Sequence, residues 1–264
     1  MTSPASDPAM FANAVAYQRF MGRYSDRLAH EFAQAAGVAS GQKIVDVGCG
    51  SGALTAVLAE IVGADHLAGV DPSEPFVAEA RRRVPGADLR VGPAESLPFE
   101  DSTFDAALSQ LVFHFVQDPA RSVAEMRRVT RPGGMVAACV WDMTGGMTML
   151  RSYWDSAREV GATGPDEIER FGGRPGQLAD LWRQAGLREV VDQSLTVTAD
   201  YEGFDELWTS FLGAAGPVGA HAVSLDEQQA AAVREALHRR IGSPAGAFTL
   251  IAKAWYAAGV VGDA

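Results

Sequence analysis

Apolar residues recur along this chain with two different spacings. Ahead of residue 40, Val15, Phe20, Tyr24, Leu28 and Phe32 fall four or five positions apart, which predicts one or two amphipathic helices between Phe11 and Gly37. From Lys43 onward the pattern changes to short apolar runs separated by helix-compatible segments. The runs at 43–48, 66–71, 88–91, 104–109 and 135–141 predict strands. Helices are predicted over 52–62, from Pro72 or Ser73 to Val84, and from Asp118-Pro119 to a stop before Arg131. Strands that return through helices imply right-handed crossovers and a parallel, doubly wound sheet. After Trp141 the regularity lapses: Met143, Met147 and Met149 mix with Gly145-Gly146, and Tyr153-Trp154 follow in a helical context. Arg174-Pro175 opens a helix ending at Gly186. A strand is predicted at 189–197, helical sequence at 203–241 with a break around 213–217, and a last strand at 247–256.

The sharpest local signal lies where the first strand meets its helix. The apolar run Ile44-Val45-Asp46-Val47 breaks into Gly48-Cys49-Gly50-Ser51-Gly52, and Ala53-Leu54-Thr55-Ala56-Val57-Leu58-Ala59 follows at once. Glycine tolerates positive φ and carries no Cβ to hold a ligand away from the backbone. The amides at the new helix's start offer donors to a nucleoside cofactor. The second apolar run, Leu67-Ala68-Gly69-Val70, ends in Asp71, whose carboxylate suits the two hydroxyls of a ribose. These features call for an adenosine-bearing cofactor without choosing among them. Gly48-x-Gly50-x-x-Ala53 also satisfies the relaxed dinucleotide fingerprint, with Asp71 at a fitting distance for an NAD ribose.

Composition narrows the partners. The 264 residues allow one large α/β domain or a domain with a helical cap, and 47% hydrophobic content supports a full core. A formal net charge of −11 argues against nucleic acid and against anionic membrane surfaces, both of which need a basic footprint. Arg81-Arg82-Arg83 falls at a predicted helix end, where it complements the helix dipole. No apolar stretch approaches the roughly 20 residues that span a bilayer. The first ten residues have no basic start or apolar h-region, so no secretory signal is expected. The two isolated cysteines, Cys49 and Cys139, read as reduced and cytoplasmic, and the five histidines form no ligand set with them, so no metal is expected.

Taken in order, Val45-Asp46-Val47-Gly48-Cys49-Gly50-Ser51-Gly52, Gly69-Val70-Asp71-Pro72-Ser73, Glu95-Ser96-Leu97-Pro98-Phe99, Phe104-Asp105-Ala106 and Arg131-Pro132-Gly133-Gly134 resemble the class I S-adenosylmethionine-dependent methyltransferases. The likeness is to their bacterial small-molecule and quinone-type group and covers about 40–141. Tyr17-Gln18-Arg19-Phe20-Met21-Gly22-Arg23 and Trp141-Asp142-Met143 are similar to one subset of the family. The resemblance implies a Rossmann-like, seven-stranded sheet with its last strand antiparallel, plus helical cap elements. It implies one domain over 1–264: an N-terminal helical gate at 1–38, a cofactor core at 39–141, and substrate-side additions at 142–175 and 201–245. The cofactor implied is S-adenosyl-L-methionine. Gly48, Cys49, Gly50 and Gly52 would line its methionine portion above Asp46, Asp71 would bind the ribose, and Pro72 and Phe76 would sit near adenine. Ala94 and Glu95 would flank the adenine edge, and Gln110 to Phe115 would lie beneath the sulfonium. Tyr17 and Arg23 would reach over the site, with Arg23 pairing the cofactor's carboxylate.

The expected reaction is transfer of the sulfonium methyl to an O, N, S or C nucleophile on a small molecule, and a homodimer is compatible with this reading. His114 follows strand four where a base could stand, with packing between Phe113 and Phe115 as the alternative role. Asp142 is a base or a helix cap. The methionine and aromatic cluster at 143–154 is a substrate lid or core filling. Trp208, Phe211 and His221 fall in a segment that could close over the same mouth. Two other functions stay open: a nicotinamide oxidoreductase and a noncatalytic cofactor-binding protein. The first lacks the Tyr-x-x-x-Lys pair of short-chain dehydrogenases, because Lys43 and Lys253 are preceded four residues earlier by Ala39 and Thr249.

Overall fold

The structure, a computed structural model, describes residues 18–213 and 215–262. Tyr17 and the rest of the segment before Gln18 lie outside the described residues. Seven strands form one sheet: β1 (Ile44–Val47), β2 (Leu67–Asp71), β3 (Asp88–Val91), β4 (Phe104–Gln110), β5 (Thr130–Trp141), β6 (Arg188–Tyr201) and β7 (Phe248–Val260). Their order is β3-β2-β1-β4-β5-β7-β6, with β7 antiparallel to both neighbours and the β1 to β5 pairs parallel. The expected Rossmann-like sheet with an antiparallel last strand is therefore present.

Helices cover both faces. On one side α1 (Arg23–Ala35) and α2 (Ala53–Val62) pack Tyr24, Leu28, Phe32 and Leu58 against Ile44, Leu108 and Cys139. α3 (Glu74–Arg83) flanks β2 and β3 through Val77 and Ala80. On the other side α4 (Pro119–Val129) and α6 (Gln177–Gln184) bury Val123, Met126 and Trp182 against Val45, Ala107 and Val136. Above the carboxyl ends of the strands stand α5 (Thr148–Glu159), α7 (Phe204–Phe211), α8 (Gly216–Ser224) and α9 (Glu227–Arg240). Asp118 caps α4 through the Arg121 amide, and Asp226 forms a capping box with Gln229 that splits α8 from α9.

Three boundaries differ from the sequence expectation. β5 begins at Thr130 rather than Met135, because the Arg131–Gly134 turn stays within the sheet as an irregularity opposite Phe104 and Ala106. Gly134 sits so close to the Asp105 carbonyl that any Cβ there would collide. β6 runs on to Tyr201, where Ala199 and Tyr201 continue the buried alternation. β7 runs on to Val260, where small residues read weakly as a strand yet pair with β5 and β6. Ahead of α1, Gln18–Gly22 forms a single π-helical turn, a rare conformation often found at functional sites.

Candidate active site

The order of strands reverses between β1 and β4, and a doubly wound sheet opens for ligands just beyond that point. The β1–α2 turn forms the floor of this crevice, with Gly48, Gly50 and Gly52 at φ 79, 51 and 88. A Cβ on Gly48 would overlap the Val112 side chain, whereas one on Gly50 would meet nothing within 4 Å. Gly48 is therefore required by packing, and Gly50 leaves room beside the backbone. The Gly48 and Cys49 amides donate to the Val70 carbonyl at 2.7 and 3.0 Å, locking the turn onto β2. Cys49 is buried and its thiol is pushed further up by burial, so it stays protonated and contributes shape and backbone.

Asp71 ends β2 as expected. Its Oδ2 accepts from the Gly50 amide at 3.0 Å and its Oδ1 from the Ser73 amide at 2.9 Å. Burial raises its pKa while those two amides oppose the rise. Each oxygen keeps a second lone-pair direction, which is what a ribose diol needs. Beside it Pro72 is exposed, while Phe76 on α3 is buried. Asp46 lies beneath the turn at 1% exposure, accepting from Thr55 Oγ1 at 2.7 Å through Oδ2. Its Oδ1 has no partner. Burial first, then repulsion from Asp71, pushes its pKa up to about 7 against the Thr55 hydrogen bond.

The end of β4 carries the rest of the site. Gln110 donates from Nε2 to the Ser25 carbonyl at 3.0 Å, tying α1 to the sheet, while its Oε1 is unpartnered. Leu111 follows at φ 63, a left-handed conformation that costs a bulky residue roughly 1–3 kcal/mol. The Leu111 amide nevertheless bonds the Cys139 carbonyl at 2.8 Å, so the strain is held in place. His114 is buried, with Nδ1 2.8 Å from the Phe171 carbonyl and Nε2 without a partner. With its hydrogen on Nδ1, toward the Phe171 carbonyl, the ring presents a lone pair at Nε2, and the Trp141 carbonyl also lies beside it. Burial, helped by the nearby Arg170 cation, lowers the His114 pKa to about 4.

Other expected residues are placed differently. Arg23 pairs with Glu206 at 2.6 Å, donates to the Asp200 carbonyl at 2.8 Å and stacks on Tyr201. It straps α1 to the β6 edge instead of reaching an open anion site. Ala94 is buried, and the Glu95 carboxylate accepts from the Gln117 and Asp118 amides, so it supports the entry to α4. Asp142 is held by Lys253 at 2.8 Å and by Thr144, which makes it a staple between the β5 end and β7. Met147 and Met149 are core, whereas Met143 lines a cavity. Phe211 packs on Phe20 and Tyr153, and His221 bonds the Tyr153 hydroxyl at 2.8 Å.

That cavity holds about 40 Å³, room for a few waters, and is lined by Met21, Leu111, His114, Trp141, Glu167 and Pro217 among others. Glu167 and Arg170 are the residues that sequence reasoning missed, and at Leu111, inside the expected 110–115 segment, it missed the left-handed backbone. Glu167 sits in an irregular stretch with no motif, and periodicity carries no sign that a charged residue is buried. Among the described residues no cluster suited to a metal ion is present.

Asp46 Oδ1, Gln110 Oε1 and His114 Nε2 are three buried acceptors without donors, all on β1, on β4 or just beyond them. S-adenosylmethionine would bring an ammonium and a sulfonium to that acceptor-rich lining, and its ribose would meet the spare lone pairs of Asp71. The residues present fit the cofactor.

Residues 45–138 match the family model described as a methyltransferase domain. A 37.1 kDa protein encoded in transposon TN4556 of Streptomyces fradiae is 35% identical over 152 residues, covering 55% of this chain and 43% of that protein. The demethylmenaquinone methyltransferase of Renibacterium salmoninarum is 38% identical over 100 residues, 38% of this chain and 41% of its own. The chain thus spans less than half the length of these curated relatives. Among solved structures, Haemonchus contortus phosphoethanolamine N-methyltransferase 2, in complex with phosphomonomethylethanolamine and S-adenosylhomocysteine, superposes with a TM-score of 0.59. That match covers 95% of this chain and 57% of the other at 16% identity, and speaks for the fold. With the ordered motifs, the sheet order and the donor-seeking crevice, these likenesses identify residues 45–138 as a methyltransferase domain, of the class I kind that uses S-adenosyl-L-methionine.

Proposed function

We propose that this protein methylates a small, largely apolar molecule at an oxygen or nitrogen that carries a proton. The observation that carries the reading is the unpartnered His114 Nε2, buried at the end of β4 on the wall of an apolar cavity. When bound, S-adenosylmethionine supplies an electrophilic methyl, whose S–C bond breaks as the bond to the acceptor forms and S-adenosylhomocysteine leaves. The glycine turn and Asp71 would hold the adenosine, and Asp46 with Gln110 would face its cationic end. Met21, Leu111 and Trp141 exclude water from the reacting atoms. His114 Nε2 accepts the proton that the nucleophile sheds, with Nδ1–H held by Phe171 fixing the tautomer.

A pKa lowered to about 4 keeps His114 neutral and ready to accept throughout the neutral range. The acid limb of kcat/KM should therefore fall near pH 4 rather than at the ordinary 6.5. His114→Phe should lower turnover by about 100-fold or more, the range of a positioned general base, with S-adenosylhomocysteine affinity little changed. Retained turnover in that variant, measured as S-adenosylhomocysteine release, would remove His114 from the chemistry. Small-molecule acceptor, cytoplasmic setting and absence of a nucleic-acid partner belong to this same proposal. They are supported by the mostly apolar cavity, the two free buried cysteines and the acidic net charge. Among the described residues no helix is long and apolar enough to cross a membrane.

A further inference from the structure

Glu167 is 5% exposed and shares the cavity with His114. Its partners are distant: Trp154 Nε1 lies 3.4 Å from Oε2 and Arg170 Nε 3.4 Å from Oε1. Leaving a carboxylate so poorly paired away from water costs several kcal/mol, on the order of the desolvation of a buried ion. The surrounding loop is built to keep it there. Asp166, the preceding residue, is gripped by Arg151 at 3.1 and 2.8 Å and also by Arg158, and its Oδ1 accepts from the Ile168 amide. On the other flank Arg170 stacks on Phe115 and donates to the His114 carbonyl at 3.3 Å. A Cβ on Gly164 would collide with His221, so the loop packs directly on that ring.

Two buried side chains on one small apolar cavity thus present acceptors and little else, His114 through Nε2 and Glu167 through its carboxylate. We propose that Glu167 is a specificity residue that selects acceptors carrying a second hydrogen-bond donor, a hydroxyl or amine, and rejects anionic ones. This rests on the reading of the His114 cavity as the acceptor site. The donor replaces the weak Trp154 and Arg170 contacts with a full hydrogen bond, while a carboxylate or phosphate would face Glu167 at close range. Burial, the first cause, pushes the Glu167 pKa up to about 7. Even partly protonated it remains a hydrogen-bonding group in an otherwise apolar wall. An apolar acceptor without the second donor leaves it unmatched.

The test uses the full chain saturated with S-adenosylhomocysteine and three phenols: 4-hydroxybenzyl alcohol, 4-methylphenol and 4-hydroxybenzoate. Quenching of tryptophan fluorescence reports binding. The wild type should favour the alcohol over 4-methylphenol by about tenfold, the value of one matched polar group, with the benzoate weakest. Glu167→Gln should keep a preference for the alcohol and admit the benzoate. Glu167→Leu should reverse the order of the first two. An order unchanged in both variants, or no binding of any phenol to the loaded wild type, overturns the inference. A wild type that fails to bind S-adenosylhomocysteine in the first step contradicts the methyltransferase reading instead.

Discussion

The β1–α2 turn and the His114 cavity sit at the same end of one sheet, yet they are made differently. The turn depends on backbone: three glycines at positive φ, amides donating to Val70 and Asp71, and a carboxylate placed by the end of β2. The cavity depends on side chains from the π-helical turn before α1, the β4 and β5 ends, α5, the 160–176 loop and α8, which meet only when the chain has folded. A site built from local backbone demands leaves a signature in sequence. One assembled from distant side chains has no fixed spacing to read.

The largest effect should come from adding one methyl to the turn. Gly48→Ala forces a residue at φ 79 and drives its Cβ into Val112, so it should cost about 3 kcal/mol or more in urea unfolding and abolish cofactor binding. Gly50→Ala, with open space at its Cβ, should retain more stability while still weakening binding. Equal stability losses at the two positions would mean that packing does not separate them.

The cavity half can be separated by pH. His114 titrates near 6.5 when unfolded and at about 4 when folded. Between those values the unfolded chain holds more protons, so the folded state loses stability as pH falls from 6.5 to 4. Relative to His114→Phe, which cannot titrate, the wild type should lose up to about 3 kcal/mol over that range. A constant difference in unfolding free energy would mean that His114 is solvated and the cavity open.

The smallest effect is expected where α1 meets α7. Arg23 and Glu206 are partly exposed, so Arg23→Met should cost less than about 1 kcal/mol in stability. If Arg23 instead pairs the cofactor's carboxylate, as the sequence alone implied, S-adenosylhomocysteine affinity should drop well beyond that.

Legibility follows the same division. The five parallel strands and their helices were readable because most of them bury a short apolar run and stop at or beside a glycine or aspartate. Gly48, Asp71 and Asp46 stand in the turn and strands expected of them. The π-turn before α1, the strained Leu111 and the buried Glu167 were not readable. Leu111 looks like any core leucine, and its φ is set by the Cys139 carbonyl it must reach. Glu167 reads as a loop acid, and only the folded loop, with Arg151 gripping Asp166 and Arg170 on the other flank, shows that it is held inside. Arg23 was recognised as important, but its partner on α7 lies far along the chain.

The central claim is that the backbone-built half holds an adenosine cofactor through Asp71. Calorimetric titration of cofactor-stripped protein with S-adenosylhomocysteine tests it most directly, beside Asp71→Ala and with NAD as a second titrant. Saturable S-adenosylhomocysteine binding is expected, weakened by about 1–3 kcal/mol in Asp71→Ala, with no response to NAD. Binding unaffected by Asp71→Ala, or heat released by NAD and not by S-adenosylhomocysteine, would contradict it.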